Sequence, residues 1–203
     1  MQKRAYIAIL AASLLCLTGC KSNTNTMSSS KLPSKTTSKS GQSSFKQQNL
    51  TKPTETTTVS KSAHANNCKK LGVSPSDSDN KKLYSECASW LGTPYKYGGT
   101  SKSGTDCSGM TYSIYKTVYG KTLTRQSGDM LTNNCSKINK SQLREGDLVF
   151  FRTDGKKSST PNHVGIYLKS NKFIHSSSSK GVVVSDLTQD YYVKNWISGG
   201  RVK

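Results

Sequence analysis

The chain has 203 residues, 32% of them hydrophobic, with 30 Lys and Arg against 11 Asp and Glu and a formal net charge of +19. That length suits one domain of ordinary size or two small ones. So basic a balance excludes positively charged ligands as the general target and favours anionic ones.

The chain opens with Lys3 and Arg4, then an apolar run from Ala5 to Leu17, 13 residues long. The run is shorter than the ~20 residues that cross a bilayer and has the length of a secretory h-region. It leads into Leu17-Thr18-Gly19-Cys20, which resembles the lipobox of bacterial lipoproteins. That resemblance implies cleavage of residues 1–19 as a signal peptide and acylation of Cys20. Two acyl chains anchor stably where one is marginal. Lys21, not Asp, follows the cysteine. In a two-membrane bacterium this implies the outer membrane, facing the periplasm. In a one-membrane bacterium it implies the outer face of the plasma membrane.

Residues 20–66 read as the lipidated cysteine followed by a disordered tether. Of the 46 residues 21–66, 20 are Ser or Thr, with scattered Lys and few large apolar side chains. Such a stretch buries too little apolar surface to offset the entropy of ordering. As a flexible coil it spans roughly 35–40 Å. His64 falls inside it and is discounted. Residues 67–203 form the expected domain, with 21 Lys and Arg against 10 Asp and Glu. An exported basic domain meets lipid head groups and wall carboxylates, so no nucleic-acid partner is expected.

Six cysteines are present. Cys16 leaves with the signal and Cys20 carries lipid. Cys68, Cys87, Cys107 and Cys135 remain in an oxidising compartment. If Cys107 is reactive it stays reduced, and at most one disulfide forms among the other three. Cys68 could pair with Cys87 or with Cys135. No pair has the spacing of a closed zinc site, so neither metal nor cofactor is expected.

Asn80 to Leu91 reads as the first helix, with Leu83, Cys87, Trp90 and Leu91 on one stripe. Asp77, Ser78 or Asp79 can cap it, and Gly92 and Pro94 stop it. A turn-rich loop with Tyr95 and Tyr97 leads to Asp106, the expected cap of a second helix from Cys107 to Gly120. A short helix is expected around Ser127 to Leu131. Strands are expected at Asp147 to Phe151, His163 to Leu168, Lys172 to Ser176, Val182 to Ser185 and Ile197 to Val202, with a short helix around Asp186 to Val193. Helices first and strands after argue for an α+β domain with an antiparallel sheet.

Cys107 opens a helix, where unsatisfied backbone N–H groups favour a thiolate. On Asp106-Cys107-Ser108-Gly109 alone, a buried core cysteine is the commoner reading. His163 and His175 sit 12 residues apart on successive strands. If the turn between them keeps even parity, both face one side of the sheet, and a helix packed on that side brings Cys107 to them. A cysteine nucleophile needs a base, and the base needs an orienting group. Cys107, His163 and His175 supply those three types.

Gly92-Thr93-Pro94-Tyr95-x-Tyr97-Gly98-Gly99, Asp106-Cys107-Ser108-Gly109, Gly146-Asp147-Leu148-Val149-Phe150-Phe151, His163-Val164-Gly165-Ile166-Tyr167 and Phe173-Ile174-His175-Ser176 occur in the order found in the NlpC-type cell-wall cysteine peptidases. The resemblance covers residues 79 to 203. It implies a papain-like α+β fold in which the cysteine helix packs on an antiparallel sheet. It assigns Cys107 as nucleophile, His163 as general base and His175 as the third polar residue. Tyr95 is implied near the oxyanion, with the Cys107 backbone N–H as the other donor. Asp106 and Ser108 match positions that touch charged groups of a stem peptide. Thr124 stands where the family has proline before Arg125, Met130 where glutamine is common, and Glu145 in place of proline before Gly146.

The implied activity is a lipid-anchored peptidoglycan endopeptidase, acting as a monomer on stem peptides. The bond is D-γ-glutamyl–diaminopimelate or the D-alanyl–diaminopimelate cross-link. The alternatives are a non-catalytic wall-binding lipoprotein, or an acyltransferase or thioesterase on a related fold with a greasy entrance beside Cys107.

Overall fold

The computed structural model describes residues 54–203. The signal peptide, Cys20 and the tether as far as residue 53 lie outside the described residues. The tether does not extend to residue 66. Thr54–Lys70 is a helix, α1, and the discounted His64 is only 6% exposed. Composition conceals this helix because its threonines are weak helix formers and it carries no apolar stripe. Its end is held by tertiary burial of His64, Cys68 and Leu71. Gly72, at φ +66°, then closes it. The Gly72 N–H donates to the Lys69 carbonyl at 3.1 Å and the Val73 N–H to the Cys68 carbonyl at 3.0 Å, the paired bonds of a Schellman turn.

Lys81–Trp90 forms α2, capped by Asn80, whose side chain accepts from the Leu83 N–H, rather than by an earlier Asp or Ser. Its buried side is Leu83, Tyr84, Cys87 and Trp90. A small hairpin, β1 (Thr100–Ser101) and β2 (Gly104–Thr105), precedes α3 (Cys107–Tyr119), which Gly120 ends in the left-handed region. A short α4 (Ser127–Asp129) continues as a wider π turn over Met130–Asn134.

The remaining strands are β3 (Cys135–Ile138), β4 (Leu148–Phe151), β5 (His163–Tyr167), β6 (Lys172–Ser177), β7 (Gly181–Asp186) and β8 (Trp196–Val202). They build one antiparallel sheet in the order β3-β8-β4-β5-β6-β7. The α+β expectation holds. Asp186 ends β7, and the last helix, α5, is confined to Asp190–Lys194.

Successive residues of the central strands serve opposite faces. Leu148, Phe150, Val164, Ile166 and Ile174 pack with Leu83, Met110 and Ile114 of the helices. Val149, Phe151 and Phe173 form a second cluster with Leu187, Tyr192 and Trp196. The helical layer thus covers one face and a smaller aromatic layer the other. Cys68, Cys87, Cys107 and Cys135 are all free thiols, so neither of the pairings left open for Cys68 is formed.

Candidate active site

Cys107 is the first residue of α3, and Asp106 is its cap. The Asp106 carboxylate is fully engaged. One oxygen accepts from the Gly109 N–H at 2.6 Å and the Ser108 hydroxyl at 3.0 Å. The other accepts from the Gly98 N–H at 2.7 Å. Asp106 therefore ties the Tyr95 loop to the helix start. Arg125 reaches the same corner, donating to Ser108 Oγ and the Gly98 carbonyl at 3.3 Å each and lying 3.5 Å from Asp106. Gly109 lets the loop come this close, because a Cβ there would sit 1.9 Å from the Gly99 carbonyl oxygen.

The two histidines meet the parity condition. Ile166 pairs with Ile174 and Tyr167 with Phe173, so His163 and His175 occupy one face. The turn between them is tight, with Ser170 at φ 50° and Asn171 at φ 62°, and Lys172 N–H donates to the Lys169 carbonyl at 2.8 Å. Two consecutive positive φ values are those of a type I′ hairpin. His163 Nε2 and His175 Nδ1 are 2.9 Å apart. Gly165 makes room for that diagonal contact. A Cβ there would lie 2.8 Å from the Ile174 carbonyl and 3.2 Å from His175 Cβ.

The expected packing needs one correction. The histidines share the face of Phe151 and Phe173, with rings 6.2 Å and 5.0 Å from those phenylalanines. Helix α3 packs on the opposite face, against Val164, Ile166 and Ile174. Cys107 still reaches the pair because His163 opens β5 at the sheet's end. All three side chains line one cavity of about 230 Å³, with Tyr95, Asn162 and Tyr192. A second cavity of about 880 Å³ shares Tyr95, Cys107 and Asn162 and continues past Asp106, Ser108, Arg125, Gln126 and Asp129. Together they form a groove with Cys107 in its middle.

His175 has partners that the sequence did not point to. Its Nε2 is 3.0 Å from Ser185 Oγ and 3.1 Å from Tyr192 Oη. If His163 Nδ1 is to accept the thiol proton, Nε2 carries hydrogen and donates to His175 Nδ1. His175 then carries hydrogen on Nε2 and donates to the Ser185 or Tyr192 oxygen. Every proton in this chain has an acceptor. Ser185 and Tyr192 are on β7 and α5, and no local motif marks them.

Burial pushes the Cys107 thiol up, and the Asp106 charge adds to this, while backbone N–H groups of Val164, Ser108 and Cys107 itself pull it down. Burial thus outweighs the backbone N–H groups at the helix terminus, and the thiol lies above its ordinary value. Burial lowers His163 to about 4. Burial and then the neighbouring His163 lower His175 to about 3. The Cys107 and His163 shifts both favour the neutral thiol and the neutral imidazole at rest. Burial also raises the Tyr95 hydroxyl, with Cys107 and Asp106 as further causes, consistent with a phenol close to Cys107.

Among curated proteins, the chain is similar to the probable endopeptidase NlpC homolog of Haemophilus influenzae, 38% identical over 60% of this chain and 62% of that one. It is similar to the murein DD-endopeptidase MepS/murein LD-carboxypeptidase of Escherichia coli, 36% identical over 60% and 62% of the two chains. The probable endopeptidase NlpC of E. coli is 39% identical over 59% of this chain and 76% of its own length. The chain thus spans less than two thirds of the first two relatives. Among solved structures, an NlpC/P60 protein from Bacillus cereus superposes with a TM-score of 0.55 at 33% identity, over 63% of this chain and 40% of that one. The NlpC/p60 domain of the peptidoglycan hydrolase SagA superposes with a TM-score of 0.52 at 27% identity, over 61% and 99%. Residues 92–201 match the sequence profile of the same family. That span holds Cys107, His163, His175 and all of the six-stranded sheet but Val202, and with the agreement in fold it places the chain in the NlpC/P60 family.

Proposed function

We propose that this protein is a peptidoglycan endopeptidase that cleaves a stem-peptide amide through an acyl-enzyme on Cys107. The observation that carries the reading is the cavity shared by Cys107, His163 and His175, with the two imidazoles 2.9 Å apart.

Substrate lies along the groove with its scissile carbonyl at Cys107. The thiol proton passes to His163 Nδ1 as sulfur attacks the carbonyl carbon. The resulting oxyanion is held by the Cys107 backbone N–H, which has no helical partner at this position, and by the Tyr95 hydroxyl. His163 then returns the proton to the leaving amine as the C–N bond breaks. A water molecule, deprotonated by His163, releases the acyl group and restores the thiol. His175 keeps the His163 ring oriented and accepts its Nε2–H throughout, so the imidazolium forms without a change of tautomer.

The relatives named murein DD-endopeptidases support the D-alanyl–diaminopimelate cross-link as the bond. The polar lining (Thr153, Asn162, Ser176, Ser177, Ser178, Arg125, Gln126) suits a peptide and argues against a lipid acyl chain. The lipobox supports a lipid anchor at Cys20 outside the membrane, with the chain working on the wall as a monomer. Intact mass of the mature N-terminus tests the anchor.

Incubating the protein with intact sacculi and analysing soluble muropeptides by mass spectrometry tests the activity. New fragments are expected from the wild type and none from Cys107→Ala. Fragments from both would remove Cys107 from the mechanism. Sacculus binding without fragments would favour the non-catalytic alternative.

A further inference from the structure

A second cluster of chemistry-bearing side chains lies away from the groove. His64 and Cys68 are one helical turn apart on α1, so they share a face. Asp79 comes from the segment before α2. His64 Nε2 is 2.9 Å from Asp79 Oδ2, and Cys68 Sγ is 3.5 Å from the same nitrogen and 3.9 Å from the same oxygen. His64 is 6% and Cys68 0% exposed, and the Asp79 side chain 5%.

Zinc binds sulfur at about 2.3 Å and nitrogen or oxygen at about 2.0–2.2 Å with tetrahedral angles, which puts neighbouring donors roughly 3.2–3.6 Å apart. The three observed separations, 2.9, 3.5 and 3.9 Å, bracket that face of a tetrahedron. We propose that His64, Cys68 and Asp79 form a zinc site that clamps α1 onto the peptidase domain.

The surroundings suit a metal. Asp79 Oδ1 is held by Lys169 Nζ at 2.5 Å, which turns Oδ2 toward the other two ligands. Oδ2 also accepts the Ser76 N–H at 2.8 Å, leaving its second lone pair for the ion. These contacts orient the carboxylate as outer-shell partners do. A recess of about 390 Å³ lined by Ser76, Ser78, Asp79, Glu145 and Lys169 opens on the Asp79 side of the cluster. Binding releases the Cys68 proton to solvent, and the His64 ring proton moves to Nδ1 so that Nε2 can coordinate. The ion's two positive charges then meet the thiolate and the Asp79 carboxylate, while the nearby Lys169 and Glu145 offset one another. The expectation of no metal rested on cysteine spacing alone and did not weigh a mixed His, Cys and Asp set.

Cobalt substitution tests the site. Cys107→Ala in the full chain removes the active-site thiol and serves as background. Titrated with Co²⁺ at neutral pH, it is expected to develop a thiolate-to-cobalt band and tetrahedral visible bands that saturate at one equivalent and vanish on adding Zn²⁺. Cys68→Ser in that background abolishes the thiolate band, and Asp79→Asn weakens binding by about tenfold or more. Far-ultraviolet circular dichroism confirms folding of each variant. Should Cys68→Ser not fold, mapping of Cys68 alkylation in Cys107→Ala reads the same site, with Zn²⁺ protecting the thiol. Absence of the thiolate band in Cys107→Ala, its persistence in folded Cys68→Ser, or equal Cys68 labelling with and without Zn²⁺ overturns the proposal.

Discussion

Cys107 occupies a position where two effects compete. Free N–H groups at the start of α3 favour the thiolate, while burial and the Asp106 charge oppose it, and burial is the largest cause. Its alkylation by iodoacetamide, followed by peptide mapping, should therefore be slower at neutral pH than that of a free cysteine and should rise into the alkaline range. A high, flat rate from mildly acidic to neutral pH would instead reveal a standing thiolate–imidazolium pair. The third residue is oriented from two sides. His175→Ala should lower the rate of muropeptide release by about 10²-fold or more, the scale of lost base positioning. Tyr192→Phe leaves Ser185 Oγ at 3.0 Å from His175 Nε2. It should cost less than about tenfold, as expected for one neutral hydrogen bond of ~1 kcal/mol. A loss as large as that of His175→Ala would make Tyr192 the principal orienter.

Two glycines, Gly109 and Gly165, set distances between elements. At Gly109 the loop carrying Tyr95 meets α3, and a Cβ would lie 1.9 Å from backbone oxygen, which cannot rotate away. Gly109→Ala should lower the unfolding free energy by about 2 kcal/mol or more and reduce activity by displacing Tyr95, as read by denaturant melts alongside muropeptide release. Unchanged stability would mean that the loop yields freely. At this scale the sequence was legible in part. Apolar periodicity located α2, α3 and the central strands because their burial repeats with the local period. β3 escaped notice because only Cys135 among its four residues is buried, and its pairing with β8 involves residues more than 60 positions away. The hairpin β1–β2, with two residues per strand, is too short to carry a pattern.

For the whole molecule, the paired histidines are an acid liability. Their folded values, about 4 and about 3, lie below the ordinary 6.5. The unfolded chain therefore binds more protons than the native one between those limits. Their contribution is present above pH ~6.5 and lost as pH falls toward 4. The denaturant midpoint should drop over that interval, and the His163→Asn/His175→Asn double variant should show a shallower drop. An equal slope in both proteins would show that the carboxylates alone drive acid unfolding.

The sequence by itself determined the residue types, the helix that presents Cys107, the strands that carry His163 and His175, and the family those motifs resemble. All of these depend on neighbours within a turn or a hairpin. The tertiary structure alone decided that α3 and the histidines use opposite faces of the sheet, that Asp106 spends its oxygens inside the fold, and that Ser185 and Tyr192 brace His175. It also decided that His64 is buried against Cys68 and Asp79. Burial sums contacts from distant parts of the chain, so neither the resting thiol nor the order of residues 54–66 could be read from local composition.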